Sequence, residues 1–228
     1  MKTKLKMSKN TLEVLKNFST INSNILIKPG NKIRTISNLK NVLAEAEVET
    51  VFDKEFGIWD LNQFLATVSL FKDPEFEFQD KYVVISSKNS SVKYFYCEPK
   101  LLTTTDKDIT MPDIVLEFEL ETDSLEHLMK ASNVLSLDDI CIRSNGDKIV
   151  ILVMDKEDST SNNYSIEVGD NPDGHEFSFY LKSDNLKLLP GTYEVSLSDS
   201  IVAHFKSKTT DVQYWIALES DSKFTPGV

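Results

Sequence analysis

A strand-to-helix segment that occurs twice constrains the fold of this chain more than any other feature. In residues 56–71 the hydrophobic period changes midway, from a strand that ends near Ile58 to a helix that Asp60 can cap. Residues 177–189 repeat this order at a constant offset. The aligned positions are Phe56, Ile58, Trp59 and Leu65 with Phe177, Phe179, Tyr180 and Leu186. We therefore expect an internal duplication.

The helix predicted in residues 61–71 has two contrasting sides. Its apolar side carries Leu61, Phe64, Leu65, Val68 and Phe71 at helical spacing. The other side carries only neutral residues, which is unusual for a surface helix of an acidic protein and would not repel a polyanion. The residues on that side are Asn62, Gln63, Ala66 and Ser69.

The rest of the chain supports two similar α+β domains. The first has a short edge strand at residues 2–7, a helix from a Ser8 cap to about Ser19, and several strands before and after the helix at 61–71. The second has a helix from Ser124 and a short twin helix that ends at Pro190. We predict domains at 1–97 and 114–228 joined by a linker at 98–113, with two helices per domain on one face of antiparallel sheets.

Hairpin signals refine this scheme in both domains. The turn at residues 144–147 joins strands at 140–143 and 148–154. Its expected counterpart is a hairpin over residues 25–33, around Pro29 and Gly30.

Charge is unevenly distributed along the sequence. The 228 residues carry a net charge of -11, which at first argues against nucleic acid. However, residues 1–19 hold five lysines against Glu13 alone. Lys9 and Lys16 are seven residues apart and share one side of the first helix. A basic surface of this kind suits a polyanion, whereas the alternative interpretation is an ordinary solvated helix side.

Several classes of function lack their usual motifs. The sequence contains no Gly-rich phosphate loop, no G-x-S-x-G motif and no Cys-x-x-Cys. His127, His175 and His204 lack a neighbouring Cys or second His, so no metal or cofactor is expected. Cys97 and Cys141 are expected to be reduced, packed thiols of a cytosolic protein. No apolar run approaches the length of a membrane span.

One catalytic pattern remains as an alternative. Asp113, Glu117 and Glu119 resemble the opening of a metal-dependent nuclease site, in which carboxylates hold a divalent cation. The Lys expected at the last position is Glu here. Glu117, Glu119 and Glu121 also alternate as the solvated face of a strand would.

Five stretches together resemble the sliding clamps of T4-type bacteriophages, which are DNA polymerase processivity factors. They are residues 12–23, 58–65, 146–151, 189–193 and 215–221. The resemblance implies the DNA clamp fold and a head-to-tail homotrimer whose six domains close into a ring around duplex DNA. It also implies cytoplasmic location in an infected host cell and no catalytic activity.

The resemblance also implies partners and candidate residues. The expected partners are duplex DNA, the replicative DNA polymerase, an ATP-driven clamp loader and phage transcription factors. Lys9, Lys16 and Lys130 fit DNA contact by helix side, although Glu126 could pair with Lys130. Lysines near helix ends are added to this set, namely Lys4, Lys6, Lys72, Lys182 and Lys187.

Two further sites follow from the same resemblance. A partner's terminal peptide is expected to dock on Leu101, Leu102, Trp215 and Ile216. The subunit interface is expected to join one sheet edge, Val92, Tyr94 and Tyr96, to another, Tyr164, Ile166 and Val168. The alternative to the clamp is a structural or protein-binding repeat module without a DNA role.

Overall fold

The computed structural model describes residues 4–199 and 201–227. The chain forms two compact units, one ending at Lys107 and the other beginning at Asp108. Both units are α+β, and every strand pair within a unit is antiparallel. No helix in the described ranges is long and apolar enough to cross a membrane.

The first unit contains two helices and seven strands within its described residues. The strands pair as β1 with β4, β2 with β3, and β5, β6 and β7 in that order. A single turn of 3-10 helix, Pro99–Leu101, opens the segment that was predicted as a linker. The elements are α1 (Lys9–Ile21), β1 (Ile25–Ile27), β2 (Gly30–Ile36), β3 (Val42–Phe52), β4 (Phe56–Ile58), α2 (Leu61–Ser69), β5 (Glu75–Phe78), β6 (Tyr82–Ser87) and β7 (Ser90–Phe95).

The second unit contains one α-helix and nine strands within its described residues. One sheet has the order β11-β10-β9-β12-β16, and a second group has the order β15-β14-β13-β8. The elements are β8 (Ile114–Leu120), α3 (Thr122–Leu135), β9 (Asp139–Asn145), β10 (Lys148–Met154), β11 (Tyr164–Asp170), β12 (Glu176–Lys182), β13 (Tyr193–Ser198), β14 (Val202–Ser207), β15 (Val212–Ala217) and β16 (Lys223–Thr225).

The duplication is visible in equivalent strand pairs. β1 pairs with β4 through Ile25 and Ile58, and β9 pairs with β12 through Ile140 and Leu181. The aligned phenylalanines are buried in both copies, with Phe56 at 3% and Phe177 at 5% exposure. The two units are therefore built on one order of elements.

The twin helix predicted after Phe177 is wrong. Its place is taken by a three-residue 3-10 turn, Ser183–Asn185. At the offset of 121 residues that relates the two copies, the cap residue Asp60 corresponds to Leu181, which cannot cap a helix. Pro190 also stands where α2 has its last residue, and a proline disfavours helical backbone at the residue before it.

Three smaller predictions also need correction. The predicted hairpin over residues 25–33 does not form, because β1 pairs with β4 and β2 pairs with β3. α3 begins at Thr122 rather than Ser124. The edge strand predicted at residues 2–7 lies partly outside the described residues. Within them, Leu5 makes one isolated bridge with Phe76.

Candidate nucleic-acid interface and assembly edges

A network of hydroxyl groups anchors the start of α1 to β3. The Ser8 Oγ atom accepts a hydrogen bond from the Thr11 N–H group at 3.1 Å, which confirms Ser8 as the cap. The Thr11 hydroxyl is fully buried and donates to Thr50 Oγ1 at 2.8 Å. The Ser8 N–H group donates to the same Thr50 oxygen at 3.0 Å. These bonds fix how α1 is rotated about its own axis.

This rotation directs two lysines into solvent. The apolar side of α1, which includes Val14 and Phe18, is buried in the first unit. Lys9 and Lys16 are exposed on the other side, and neither makes an ion pair with any described residue. Two helical turns separate them, or about 10 Å along the axis. Glu13, which lies between them in sequence, is exposed and forms no ion pair with either.

The neutral side of α2 is exposed as the sequence predicts. The Asp60 carboxylate caps the helix by accepting the Gln63 N–H group at 2.8 Å. Leu61, Phe64 and Val68 are buried on the inner side. α1 and α2 pack against each other, so the basic and neutral surfaces belong to one region of the first unit. The exposed neutral residues are Asn62, Gln63, Ala66 and Ser69.

Lys130 lies on the exposed side of α3. Leu125, Leu128 and Ser132 form the buried side of that helix. Although Glu126 precedes Lys130 by one helical turn, no ion pair joins them in the described chain. Lys130 is therefore available for contact with an anion, and its assignment to DNA remains a prediction.

Lys4 is engaged near β5. The Lys4 ammonium group pairs with the Glu75 carboxylate at 2.7 Å. Hydrogen bonding and charge attraction from Lys4 lower the pKa of Glu75, and the nearby Lys6 charge acts in the same direction. Lys6 and Lys72 are both exposed. A surface pair of this kind is weak, so Lys4 can exchange Glu75 for another anion.

Lys182 has a structural partner that the sequence did not reveal. Its ammonium group lies 2.5 Å from a carboxylate oxygen of Asp139, a residue that is only 5% exposed. Breaking this pair would leave a buried carboxylate without its counter-charge. Lys187 is exposed but follows the 3-10 turn instead of lying on a helix. Neither residue therefore sits on the helix surface from which its DNA role was predicted.

The strands predicted for subunit contact are both sheet edges within their own units. β7 ends the three-stranded sheet, and β11 ends the five-stranded sheet. Each has a partner strand on one side only, so one row of backbone N–H and C=O groups is available for pairing. Their role as a subunit interface stays a prediction.

Side chains alternate between the two faces of β7, and those of β11 alternate from Tyr164 to Glu167, beyond which the pairing with β10 shifts by one residue. The Tyr94 ring packs against Phe64 with 5.2 Å between ring centroids, and its hydroxyl donates to the Asp60 carbonyl oxygen at 3.0 Å. Burial, aided by the Asp60 charge, raises the pKa of Tyr94. The Tyr96 ring stacks on Phe56 at 5.1 Å. Tyr94 and Tyr96 therefore point inward, while Lys93 and Phe95 point outward.

The four predicted peptide-binding residues differ in exposure. Leu101 is 58% exposed and Leu102 is half-buried, both beside the 3-10 turn of the first unit. In the second unit Ile216 is fully buried and Trp215 is 8% exposed. The Trp215 indole stacks on His204 at 4.9 Å. Leu101 and Leu102 are thus the members best placed to contact a peptide directly, and the site stays a prediction.

Sequence reasoning missed a cleft near these leucines. It has a volume of about 320 Å³ and lies between β1, β2 and residues 104–106. Lys28 pairs with Asp106 at 2.5 Å across it, and Lys32 and Arg34 both bond the buried Glu45. Sequence periodicity cannot predict such a cleft, because its walls come from segments more than 70 residues apart in sequence.

The carboxylates of the nuclease hypothesis lie on β8 without a metal-binding arrangement. Glu117 accepts a hydrogen bond from the Ser196 hydroxyl at 3.0 Å, and Glu119 forms an ion pair with Lys208. Among residues 4–199 and 201–227, no group of three or more His, Cys, Asp or Glu side chains could hold a metal ion. Both cysteines are free thiols, with Cys141 buried and Cys97 half-buried.

Comparison with known proteins decides the family. Residues 6–111 match the family model described as DNA polymerase processivity factor, and residues 117–220 match the model described as gp45 sliding clamp, C terminal. The sliding clamp of Vibrio phage KVP40 is 33% identical over 222 residues, covering 95% of this chain and 100% of its own. The chain belongs to the sliding-clamp family of T4-type phages. The sliding clamp of Enterobacteria phage T4 is likewise 33% identical, over 96% of this chain and 98% of its own.

A solved structure supports the clamp fold. The proliferating cell nuclear antigen (PCNA) of A. fulgidus, solved with the C-terminal region of FEN-1, superposes with a TM-score of 0.68. The alignment covers 99% of this chain and 98% of that one at 13% identity. The prediction of an α+β clamp fold is confirmed. The family model that matches the first unit describes a DNA polymerase processivity factor.

Proposed function

We propose that this chain is a sliding clamp that encircles duplex DNA and tethers the replicative DNA polymerase. Three copies would join head to tail, so that six similar units close a ring. The observation that carries the proposal is the full-length similarity to phage sliding clamps across both units. The exposed lysines of α1, which form no ion pair in the described chain, lie beside the neutral side of α2 and would attract the phosphates of DNA.

The helices would contact DNA without reading its sequence. Lysine ammonium groups attract phosphates wherever they lie along the duplex, and neutral helix surfaces add no fixed contacts that would stop movement. Lys9, Lys16 and Lys130 are the principal candidates because they are exposed on helices and free of ion pairs in the described chain. The remaining candidates, Lys4, Lys6, Lys72, Lys182 and Lys187, would act at the periphery.

Other proteins would open the ring and use it. Since the sequence has no phosphate-binding loop, an ATP-driven clamp loader would supply the energy for opening. The polymerase and phage transcription factors would attach through terminal peptides at Leu101 and Leu102. The A. fulgidus PCNA bound by the FEN-1 C-terminal region supports this mode of attachment for the fold. The chain itself would carry out no catalysis.

Charge reversal on α1 tests the DNA role. In the variant Lys9→Glu/Lys16→Glu, repulsion from phosphate should shorten the products of primer extension with polymerase and loader to the length obtained without a clamp. The matched control Lys206→Glu/Lys223→Glu changes the net charge equally at exposed sites on strands β14 and β16. It should support long products. Normal stimulation by the α1 variant, with folding confirmed by circular dichroism, would contradict the proposed DNA surface.

A further inference from the structure

The two edge strands carry opposite charges at corresponding places. Strand pairing continues one residue beyond β7, because the Tyr96 N–H group donates to the Lys81 carbonyl oxygen at 3.0 Å. The paired segments 90–96 and 164–170 therefore have seven residues each. Lys93 is the midpoint of the first segment, and Glu167 is the midpoint of the second. When the two segments overlap completely, these midpoints lie opposite each other.

Both midpoint side chains point outward and lack an ionic partner. Lys93 is exposed, and its ammonium group lies 5.2 Å from the centroid of the Tyr82 ring. Glu167 is exposed, while the neighbouring Lys148 pairs with Asp170 at 2.7 Å. Neither Lys93 nor Glu167 forms an ion pair with another described residue. The only other charged side chain in 90–96 and 164–170 is Asp170, which Lys148 already neutralises.

The inward side chains restrict the register further. Val92 and Tyr94 are half-buried on β7, as are Ile166 and Val168 on β11. A shift of one residue would place an inward row opposite an outward row. A shift of two residues would keep the rows matched but place Lys93 opposite Ser165 or Gly169. In the complete antiparallel overlap Tyr94 faces Ile166, and the inward rows continue as one apolar surface.

The same charges favour unlike edges over like edges. Two copies of β7 paired with each other would bring two Lys93 side chains together, and two copies of β11 would bring two Glu167 side chains together. Residues 1–107 hold 16 basic and 13 acidic residues, whereas 108–228 hold 9 and 23. Long-range attraction therefore also favours contact between the first unit of one copy and the second unit of another.

We propose that Lys93 of one copy and Glu167 of the next form an ion pair that sets both the register and the head-to-tail direction of assembly. This inference rests on the proposed ring, and the occupant of each edge is a second copy of this chain. A head-to-tail contact of unlike edges can close into a ring, whereas self-paired edges would give a two-fold dimer.

A charge swap tests the pair. Lys93→Glu and Glu167→Lys each place like charges at every contact, and each should weaken one contact about fivefold, from the usual strength of cross-strand charge pairs. On dilution, the trimer of each variant should therefore begin to dissociate at a higher protein concentration than the wild-type trimer. Light scattering across a concentration series measures this point. The double variant Lys93→Glu/Glu167→Lys should restore the trimer. Lys40→Glu and Glu176→Lys, exposed but away from the two edges, are the matched controls and should leave it unchanged.

Mixing the single variants adds a test of direction. A contact between unlike variants joins opposite charges, and a contact between two copies of the same variant joins like charges. A ring of three must contain at least one contact between like copies. The mixture should therefore be more stable than either single variant and less stable than the double variant. Full recovery on mixing would contradict the three-membered head-to-tail ring.

Cysteine cross-linking tests the register directly. In a Cys97→Ser background, Lys93→Cys/Glu167→Cys should form linked dimers and trimers on oxidation, because opposite residues meet disulfide geometry. Lys93→Cys/Ser165→Cys, shifted by two residues, should remain unlinked. Linking of the shifted pair alone, or unchanged trimer in both charge variants, would overturn the ion pair while leaving the clamp intact. A wild-type chain that stays monomeric would instead contradict the proposed ring itself.

Discussion

The two units share an order of elements but use their cations differently. In the first unit Lys9 and Lys16 are exposed and form no ion pair in the described chain. In the second unit Lys182 neutralises the buried Asp139, and Lys156 pairs with Asp221 at 3.0 Å. The contrast holds for these lysines and not for every cation, because Arg34 bonds the buried Glu45 in the first unit and Lys130 is exposed without an ion pair in the second. A duplicated fold does not require a duplicated site.

The duplicated segment shows a parallel divergence in local structure. α2 has a capping carboxylate, a fully buried Phe64 and no proline within its length. At the offset of 121 residues, Asn185 replaces Phe64 and Pro190 replaces Ser69. A short helix needs tertiary packing to offset the cost of nucleation. The second copy lacks the apolar anchor, so it retains only a 3-10 turn.

Removing the anchor of α2 should have the largest effect on stability. Phe64→Ala would leave a cavity in the core of the first unit, which costs about 3 to 5 kcal/mol in the free energy of unfolding. Urea denaturation measures this change. Trp59→Ala removes an aromatic side chain that is 60% exposed and should have a much smaller effect. Equal losses for the two variants would show that α2 is not held by its buried phenylalanine.

The structural role of Lys182 gives the next effect. Lys182→Met should leave the Asp139 carboxylate buried without its cation and cost about 1 to 3 kcal/mol, since the pair is partly open to solvent. Lys148→Met breaks a surface pair with the exposed Asp170 and should destabilise the second unit much less than Lys182→Met. Thermal unfolding compares the two. If Lys182→Met is neutral, the second unit does not depend on this cation.

The helix cap should contribute less. Asp60→Ala removes the acceptor for the Gln63 N–H group and should destabilise the first unit by about 1 kcal/mol. Asp60→Asn, which keeps an acceptor oxygen, is the matched control and should recover most of the loss. Urea midpoints distinguish them. If the Asn variant is as unstable as the Ala variant, the charge of Asp60, rather than its capping hydrogen bond, stabilises the helix.

His204 should produce a small pH dependence confined to the second unit. Burial lowers the pKa of His204, although its bond to Gln213 opposes this effect. The unfolded chain then binds more protons below about pH 6.5, so stability is complete above that pH and falls as the pH decreases. His204→Gln should flatten the dependence between about pH 7.5 and about pH 5.5. The control variant His127→Gln, at an exposed position, should retain the pH dependence of stability. If both variants keep the wild-type slope, His204 is not the source of the pH dependence.

Local signals in the sequence predicted much of this fold. Ser8, Asp60 and Gly146 determine a helix start, a second helix start and a hairpin turn from interactions within a few residues. Alternating apolar residues likewise predicted that 92–96 and 164–168 are strands. These patterns could be recognised because the forces that produce them act between near neighbours in sequence.

Pairings over long sequence distances could not be predicted. Lys182 and Asp139 are 43 residues apart, and Lys4 and Glu75 are 71 apart. Lysines in similar local sequences therefore differ in whether they are available to bind an external anion. Only the folded structure shows which lysines already have an ionic partner. The missing twin helix is a different case, since Leu181 and Pro190 were visible signals that opposed it.

Retention on DNA of different topology tests the central claim most directly. The protein is loaded with its clamp loader and ATP onto nicked circular DNA, free loader is removed, and bound protein is measured before and after a restriction enzyme linearises the circle. A ring that encloses DNA should remain on the circle and leave through the ends once the DNA is cut. Equal retention on circular and linear DNA would mean that the chain binds by surface contact alone, and the sliding-clamp account would be wrong.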